Sequence, residues 1–283
     1  MANFRQALIE KVIGHKYAID AKRLGDDSLL AWSNLGYWQG QQHNYPLACQ
    51  NLADQIAASV QLKSTDRVLD LGCGQGASLL HWLNHYHIEQ LSVVELQKDY
   101  IQRIQKELPQ VQSICGSFLN LRPLHFLNLF DVVVCVDAAY HSELNLFLDS
   151  VSFVLNSKGR IAFHYLMWSD DWQHCSYLHK QQYRYLLKGA DVRWQHLMDE
   201  QQLSQILVKR GFKDIIIQDF SEPVLKGFAQ YIDTRSPRPR NKPFDFAQLK
   251  IAMTAKLCQK LYQDGLVRYV QVSAVKNEVI KKG

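Results

Sequence analysis

Residues 68–76 read VLDLGCGQG, and this stretch decides the fold prediction. Its first half is a short apolar run, which predicts a buried β-strand. Gly72, Gly74 and Gly76 follow that strand directly. Glycines at such a turn adopt left-handed backbone conformations easily and let a ligand approach the main chain closely. Because ligands of open α/β sheets bind at the carboxyl ends of the strands, we expect a binding site at this loop.

Strands and helices alternate along most of the chain around this loop. The strands are short and almost continuously apolar, which is typical of parallel strands covered by helices on both faces. We therefore predict an α/β fold with a doubly wound, Rossmann-like, mostly parallel seven-stranded sheet. The predicted strands are 67–71, 90–95, 111–115, 130–136, 160–165, 214–219 and 266–275, and the predicted helices are 46–62, 77–86, 98–108, 144–155 and 200–210.

The pattern also predicts how the domain is elaborated. Residues 1–45 are expected to form an N-terminal extension or lid, helical as far as residue 33, ahead of a main domain at 46–283. An aromatic and polar stretch at 168–190 and a proline-containing stretch at 222–248 interrupt the alternation. Such interruptions are expected to be inserted segments that close over the site.

Composition sets broad limits on function. The chain has 283 residues, 47% of them hydrophobic, and a formal net charge of +5, a weaker bias than nucleic-acid-binding domains show. The six cysteines are scattered without Cys-x-x-Cys or zinc-ligand spacing, so we expect free thiols, no metal and a reducing compartment. No apolar run is long enough for a membrane span and the N-terminus does not resemble a signal peptide, so a cytoplasmic protein without a membrane partner is expected.

Glu95 ends the second predicted strand, beside the glycine loop. A carboxylate at this place of a doubly wound sheet accepts hydrogen bonds from ribose hydroxyls. The third glycine comes one residue earlier than in the dinucleotide fingerprint, which brings a helix N-terminus to a pyrophosphate. The spacing therefore favours a cofactor that carries a ribose but no phosphate.

The strand, the glycine loop, the next helix and Glu95 together resemble the class I S-adenosylmethionine-dependent methyltransferases, over roughly residues 46–220. The resemblance implies S-adenosylmethionine as cofactor, with the loop against its methionine part and Glu95 on its ribose. Many members have an aspartate where this chain has Ser117, so its contact with the adenine departs from the usual pattern. The implied cofactor residues are Tyr37, Asp70, Gly72, Cys73, Gly74, Gly76, Glu95, Leu96, Gly116, Ser117, Phe118, Val136 and Asp137.

Gly36, Tyr37 and Trp38, just ahead of the first main-domain helix, are similar to the small-molecule branch of that family. The branch includes sugar and polyketide O-methyltransferases, sarcosine N-methyltransferases and sterol C-methyltransferases. By this resemblance Tyr37 would close over the cofactor. The alternative is an aromatic staple that holds the extension to the core.

A candidate catalytic group follows the valine-rich fourth strand. His141 is the candidate general base, since a histidine ionises near neutral pH and an acceptor hydroxyl or carbon must lose a proton. Asp137 lies four residues earlier and would share a face with His141 if the segment is helical, so it could orient the imidazole or contact the cofactor. Tyr140 would position the acceptor or fill the core. The alternative for His141 is packing against the sheet.

The predicted function is methyl transfer from S-adenosylmethionine to a hydroxyl, carbon or amine of a small molecule. Aromatic residues in the two insertions, such as Trp172 and Tyr231, favour an apolar or ring-bearing acceptor. A nucleic-acid or protein methyltransferase is less favoured, because residues 136–140 (VDAAY) lack the Asp/Asn-Pro-Pro-Tyr/Phe motif. A cyclopropane synthase, which would need a membrane-facing apolar insertion, and a non-catalytic cofactor-binding protein are further alternatives. The basic stretch 235–242 is either a solvated loop or an anion-binding one.

Overall fold

A seven-stranded sheet organises the molecule. We describe it from a computed structural model over residues 20–40, 43–235 and 245–278. The sheet order is β3-β2-β1-β4-β5-β7-β6, and only β7 runs antiparallel to its neighbours in this sheet. The strands are β1 (Arg67–Leu71), β2 (Gln90–Glu95), β3 (Gln112–Cys115), β4 (Phe130–Cys135), β5 (Leu155–Trp168), β6 (Phe212–Asp219) and β7 (Val267–Lys276). The predicted doubly wound, mostly parallel seven-stranded fold is confirmed.

Helices cover both faces of this sheet. They are α1 (Tyr45–Ser59), α2 (Ala77–Asn84), α3 (Lys98–Glu107), α4 (Leu144–Val154), α5 (Tyr177–Gly189), α6 (Glu200–Lys209), α7 (Gly227–Thr234) and α8 (Phe246–Asp264). Alternate residues of β4 pack into opposite layers, with Val133 and Cys135 in one core cluster and Val132 and Val134 in the other. A continuous apolar strand is stable here because both of its faces are buried.

The helix predicted up to residue 33 is wrong within the described residues, and 1–19 lie outside them. Only Ala21–Leu24 forms a short 3-10 turn, and the chain then runs irregularly to α1. Asp26 explains the break, because its buried carboxylate accepts hydrogen bonds from the backbone N–H groups of Ser28 (3.1 Å) and Trp32 (2.7 Å). A short acidic side chain that takes up backbone donors in this way competes with a helix.

The two predicted insertions contain more regular structure than expected. Residues 168–190 include a one-turn helix, Asp171–His174, and then α5. The second insertion begins with a π-helix, Glu222–Lys226, that continues into α7, while 236–244 lie outside the described residues. Helix α8 was not predicted. The strand order changes direction between β1 and β4, which is where open α/β sheets bind ligands.

Candidate cofactor-binding and active site

The glycine loop after β1 is closely packed on both sides. Gly72 and Gly74 have φ angles of +75° and +58°, a region that glycine adopts without strain. A Cβ added at Gly74 would lie 2.4 Å from Ser33 Oγ, and one at Gly72 would lie 3.1 Å from Ala138 Cβ. The loop is therefore held between the segment before α1 and the segment after β4, and its main chain is open to a ligand only on the remaining side.

Asp70 lies beneath this loop and is fully buried. Its Oδ2 accepts hydrogen bonds from Ser78 Oγ and Trp82 Nε1, both at 2.7 Å, while Oδ1 has no partner among the described residues. Burial raises the pKa of this carboxyl to about 6, and the two hydrogen bonds oppose the rise. The resemblance implied a cofactor contact for Asp70, but its hydrogen bonds instead hold the first turns of α2 against the end of β1.

Glu95 sits at the end of β2 with both carboxylate oxygens engaged by backbone. Oε2 accepts from the Gly74 N–H at 3.0 Å, and Oε1 accepts from the Gln97 N–H at 2.9 Å. Burial raises its pKa, and these hydrogen bonds limit the rise. The Leu96 backbone N–H is a third donor to this carboxylate. Since two carboxylate oxygens can accept about four hydrogen bonds together, the group retains capacity for a ribose hydroxyl.

A cavity of about 1070 Å³ opens above the loop. It brings together most of the residues singled out in the sequence, from four separate strand ends. Those that line it are Gly72, Cys73, Gly74, Glu95, Leu96, Ser117, Phe118, Val136, Asp137, Tyr140 and His141. This clustering follows from the topology, since parallel strands end at the same edge of the sheet.

Four predicted cofactor residues lie away from the cavity wall. Besides Asp70, these are Gly76, at the N-cap of α2; Gly116, whose N–H donates to the Glu95 carbonyl at 3.0 Å; and Tyr37. Tyr37 packs edge-on against Phe220, with ring centroids 5.0 Å apart. This contact is compatible with the alternative interpretation of an aromatic staple, and the closure of Tyr37 over the cofactor stays a prediction.

Asp137 connects three parts of the chain at the cavity. One oxygen, Oδ2, accepts from the Leu35 N–H at 2.8 Å, and the other, Oδ1, accepts from the hydroxyls of Tyr140 (2.9 Å) and Tyr269 (2.7 Å). Its φ of +55° is uncommon for a residue other than glycine. Burial raises its pKa to about 6 despite these donors. The carboxylate thus ties the segment before α1 to the end of β4 and to β7.

His141 and Asp137 do not share the face of an α-helix. Residues Ala139–His141 form a 3-10 turn rather than an α-helix, so the expected shared helix face is absent. Instead His141 Nδ1 lies 3.3 Å from the carbonyl oxygen of Asp191. An N–H on Nδ1 facing that carbonyl leaves Nε2 as the basic nitrogen of a neutral imidazole.

A second histidine, His164, accepts a hydrogen bond from the backbone of Asp137. Its ring is fully buried in β5, and Nδ1 accepts from the Asp137 N–H at 3.2 Å. Burial lowers its pKa to about 3, so the ring stays neutral.

Several cavity residues were missed by the sequence reasoning. They come from the segment before α1 (Ala31, Trp32, Ser33, Asn34, Leu35), from α3 (Tyr100), from β7 (Tyr269), and from α5 and α8 (for example Tyr185, Leu186, Leu249, Met253, Leu257 and Leu261). Their positions depend on long-range packing, and no local motif marks them. Of the basic stretch 235–242 only Arg235 is described, and it donates to the Leu24 carbonyl at 3.0 Å.

Comparison with known proteins agrees with this geometry. The family described as "Methyltransferase domain" matches residues 68–159, which run from β1 into β5. The chain contains a class I methyltransferase domain. This domain is of the S-adenosylmethionine-dependent type that the glycine loop and Glu95 predict.

Similar proteins include small-molecule enzymes. Erythromycin 3''-O-methyltransferase of Saccharopolyspora erythraea is 32% identical over 119 residues, which are 40% of this chain and 38% of that protein. The glycine/sarcosine/dimethylglycine N-methyltransferase of Actinopolyspora halophila is 30% identical over 48% of this chain and 25% of its own length. The matched part of the chain thus spans well under half the length of each of these two relatives.

Among solved structures, geranyl diphosphate C-methyltransferase of Streptomyces coelicolor A3(2) superposes with a TM-score of 0.70 at 15% identity, over 96% of this chain and 97% of that one. The likeness at this identity concerns the fold of the methyltransferase domain and its additions. Within the described residues, no helix combines the length and apolar character that crossing a membrane requires.

Proposed function

We propose that this chain transfers a methyl group from S-adenosylmethionine to a small, largely apolar molecule. The observation that carries the proposal is the single cavity that joins the glycine loop and Glu95 at one end to His141 and an apolar wall at the other. One end has the groups that suit the cofactor, and the other has room and chemistry for an acceptor.

The cofactor end fits S-adenosylmethionine in two respects. The glycine loop packs against Ser33 where a Cβ at Gly74 would collide, and its residues Gly72 and Gly74 line the cavity where the cofactor would lie. Glu95 is rigidly held and keeps acceptor capacity for ribose hydroxyls. A further carboxylate, Asp137, lies at the same cavity and suits a cofactor with a positive charge.

The acceptor end is lined mainly by apolar side chains, with Leu249, Met253 and Leu257 on α8 and Leu186 on α5. Three lysines of α8 also line the cavity: Lys250, Lys256 and Lys260. Such walls favour an apolar molecule, with a few polar groups to orient it. Enzymes that act on geranyl diphosphate and on erythromycin, as their names state, are among the similar proteins, which supports a small-molecule acceptor.

For methyl transfer the protein must align the acceptor with the methyl group and remove a proton from the acceptor. When bound, S-adenosylmethionine supplies an already activated methyl group, so fixing the acceptor in line with it accounts for much of the catalysis. We assign His141 as the general base. Its Nε2 takes the proton from the acceptor oxygen or carbon as the bond from that atom to the methyl carbon forms and the bond from that carbon to sulfur breaks. A base of this kind favours O- or C-methylation.

The test is calorimetric titration of S-adenosylhomocysteine into the purified chain and three variants. Glu95→Gln is expected to weaken binding tenfold or more, about 1.4 kcal/mol, because half of its acceptor capacity becomes a donor. Glu89→Gln is the matched control at an exposed glutamate and should leave the affinity unchanged.

The third variant separates catalysis from binding. His141→Gln is expected to bind S-adenosylhomocysteine like the wild type and to lose at least about 100-fold in turnover of any acceptor that the wild type methylates. Undetectable binding to the wild type would reject the cofactor assignment. Full turnover by His141→Gln would reject the base and leave the cofactor assignment standing.

A further inference from the structure

Helix α5 exposes apolar side chains on its solvent side. Tyr183 and Leu187 face inward and are fully buried. On the opposite side of the helix Leu178 and Tyr185, seven residues apart, are 79% and 76% exposed, and Tyr177 is 70% exposed. The solvent side of a helix in a globular protein is normally polar. We therefore expect another surface to cover these exposed apolar side chains.

Helix α8 shows the same distribution. Ile251 and Leu261 are buried, whereas Phe246 and Met253, again seven residues apart, are each 62% exposed. Both exposed residues line the cavity, as does Tyr185 of α5. Tyr185, Phe246 and Met253 therefore border one cavity, and Leu178 and Tyr177 extend this exposed surface along α5. We call the five residues the α5–α8 face.

The charges that these two helices themselves carry are almost all positive, while Asp245, the N-cap beside Phe246, pairs with Arg23. Helix α5 carries Lys180, Arg184 and Lys188 and no acidic residue. Helix α8 carries Lys250, Lys256 and Lys260 with one acidic residue, Asp264, whose carboxylate is 2.7 Å from Lys260 Nζ. Aromatic and aliphatic side chains combined with lysine and arginine are the composition of helices that lie in the interface of an anionic membrane.

We infer that the α5–α8 face docks on an anionic lipid bilayer. The apolar side chains enter the headgroup region while the surrounding cations meet the negative surface. The cavity mouth then faces the bilayer, so an apolar acceptor dissolved in it can enter without crossing water. The delivery of an acceptor from the bilayer rests on the proposed function. The docking of the α5–α8 face on the bilayer requires neither the cofactor nor methyl transfer.

The test is co-sedimentation of the full chain with vesicles of phosphatidylcholine alone and of an equimolar mixture with phosphatidylglycerol. The wild type is expected to bind the mixed vesicles at least tenfold more tightly than the neutral ones, and added salt should weaken that binding. Tyr177→Ser/Leu178→Ser should reduce binding to the mixed vesicles at least tenfold. Neither residue lines the cavity.

Val208→Ser/Ile216→Ser is the matched control, since both residues are exposed apolar side chains on other elements, α6 and β6. It should bind mixed vesicles like the wild type. Equal loss in both double variants, or no binding by the wild type, would overturn the inference. So would a wild-type dimer in sedimentation velocity that Tyr177→Ser/Leu178→Ser dissociates, because a second copy would then cover the face. S-adenosylhomocysteine titration reports separately on the proposed function.

Discussion

At the scale of single residues, Asp137 carries the most contacts between separate parts of the site. Its carboxylate accepts from the Leu35 N–H and from the hydroxyls of Tyr140 and Tyr269. Protonation would replace an acceptor position by an O–H donor, so at least one of these three donors would lose its partner. Since Leu35 lies in the cavity-lining segment before α1, the charge on Asp137 controls how that segment is held.

This network predicts a pH-dependent affinity for S-adenosylhomocysteine. The pKa of Asp137 is raised to about 6, so the ionised form that holds Leu35 is present above about pH 6 and is lost below it. Wild-type affinity should fall up to about tenfold between about pH 7 and about pH 5. Asp137→Asn should bind about tenfold more weakly at pH 7 and lose this pH dependence, as calorimetry at several pH values would measure.

Asp149→Asn is the control for that experiment. Asp149 lies outside the cavity and pairs with Arg210 at 2.8 Å, so its amide variant should keep both the affinity and the pH profile of the wild type. A pH profile of Asp137→Asn that follows the wild type would exclude Asp137 as the titrating group.

At the scale of elements, α7 holds the segment before α1 in place. Trp38 of that segment stacks on Tyr231 with ring centroids 4.3 Å apart, and its Nε1 donates to the Leu35 carbonyl at 2.8 Å. A Cβ added at Gly227, the first residue of α7, would lie 2.5 Å from Trp38 Cβ and 2.7 Å from its ring. The helix can approach this closely only because residue 227 has no side chain.

Gly227→Ala is therefore expected to destabilise the fold by about 1–3 kcal/mol, the usual cost of overpacking a core. Gly189→Ala, at the end of α5, is the matched control because nothing lies within 4 Å of the added Cβ. It should change stability little or raise it by up to about 1 kcal/mol. Urea unfolding of both variants measures the difference, and equal stabilities would show that the Trp38 contact relaxes without cost.

These elements also show what local sequence can and cannot predict. The glycine loop and Glu95 were predictable because each depends on a strand end and a few neighbouring residues. Helix α8 was missed because it carries apolar residues on both its inward and outward faces, for example Ile251 and Met253, so the helical repeat is blurred. Tyr269 was missed because its place at the cavity comes from the antiparallel pairing of β7 with β5.

At the scale of the whole molecule, two buried ionisable groups act on stability in opposite directions. The pKa of Asp70 is raised from 3.8 to about 6, so its contribution to stability is present below pH 3.8 and is lost as pH rises through 6. The pKa of His164 is lowered from 6.5 to about 3, so its contribution is present above pH 6.5 and is lost as pH falls towards 3. Over the range between these values the two trends oppose each other.

Removing one group at a time should expose each trend. Between about pH 4.5 and about pH 7.5, Asp70→Asn should gain about 2 kcal/mol of stability relative to the wild type as pH rises, because each tenfold step in ionisation corresponds to about 1.4 kcal/mol. His164→Gln should gain about 3 kcal/mol relative to the wild type as pH falls over the same range. Urea unfolding at a series of pH values gives both differences. If either difference stays constant with pH, that group has the same pKa in the folded and unfolded chain, and it does not oppose the other.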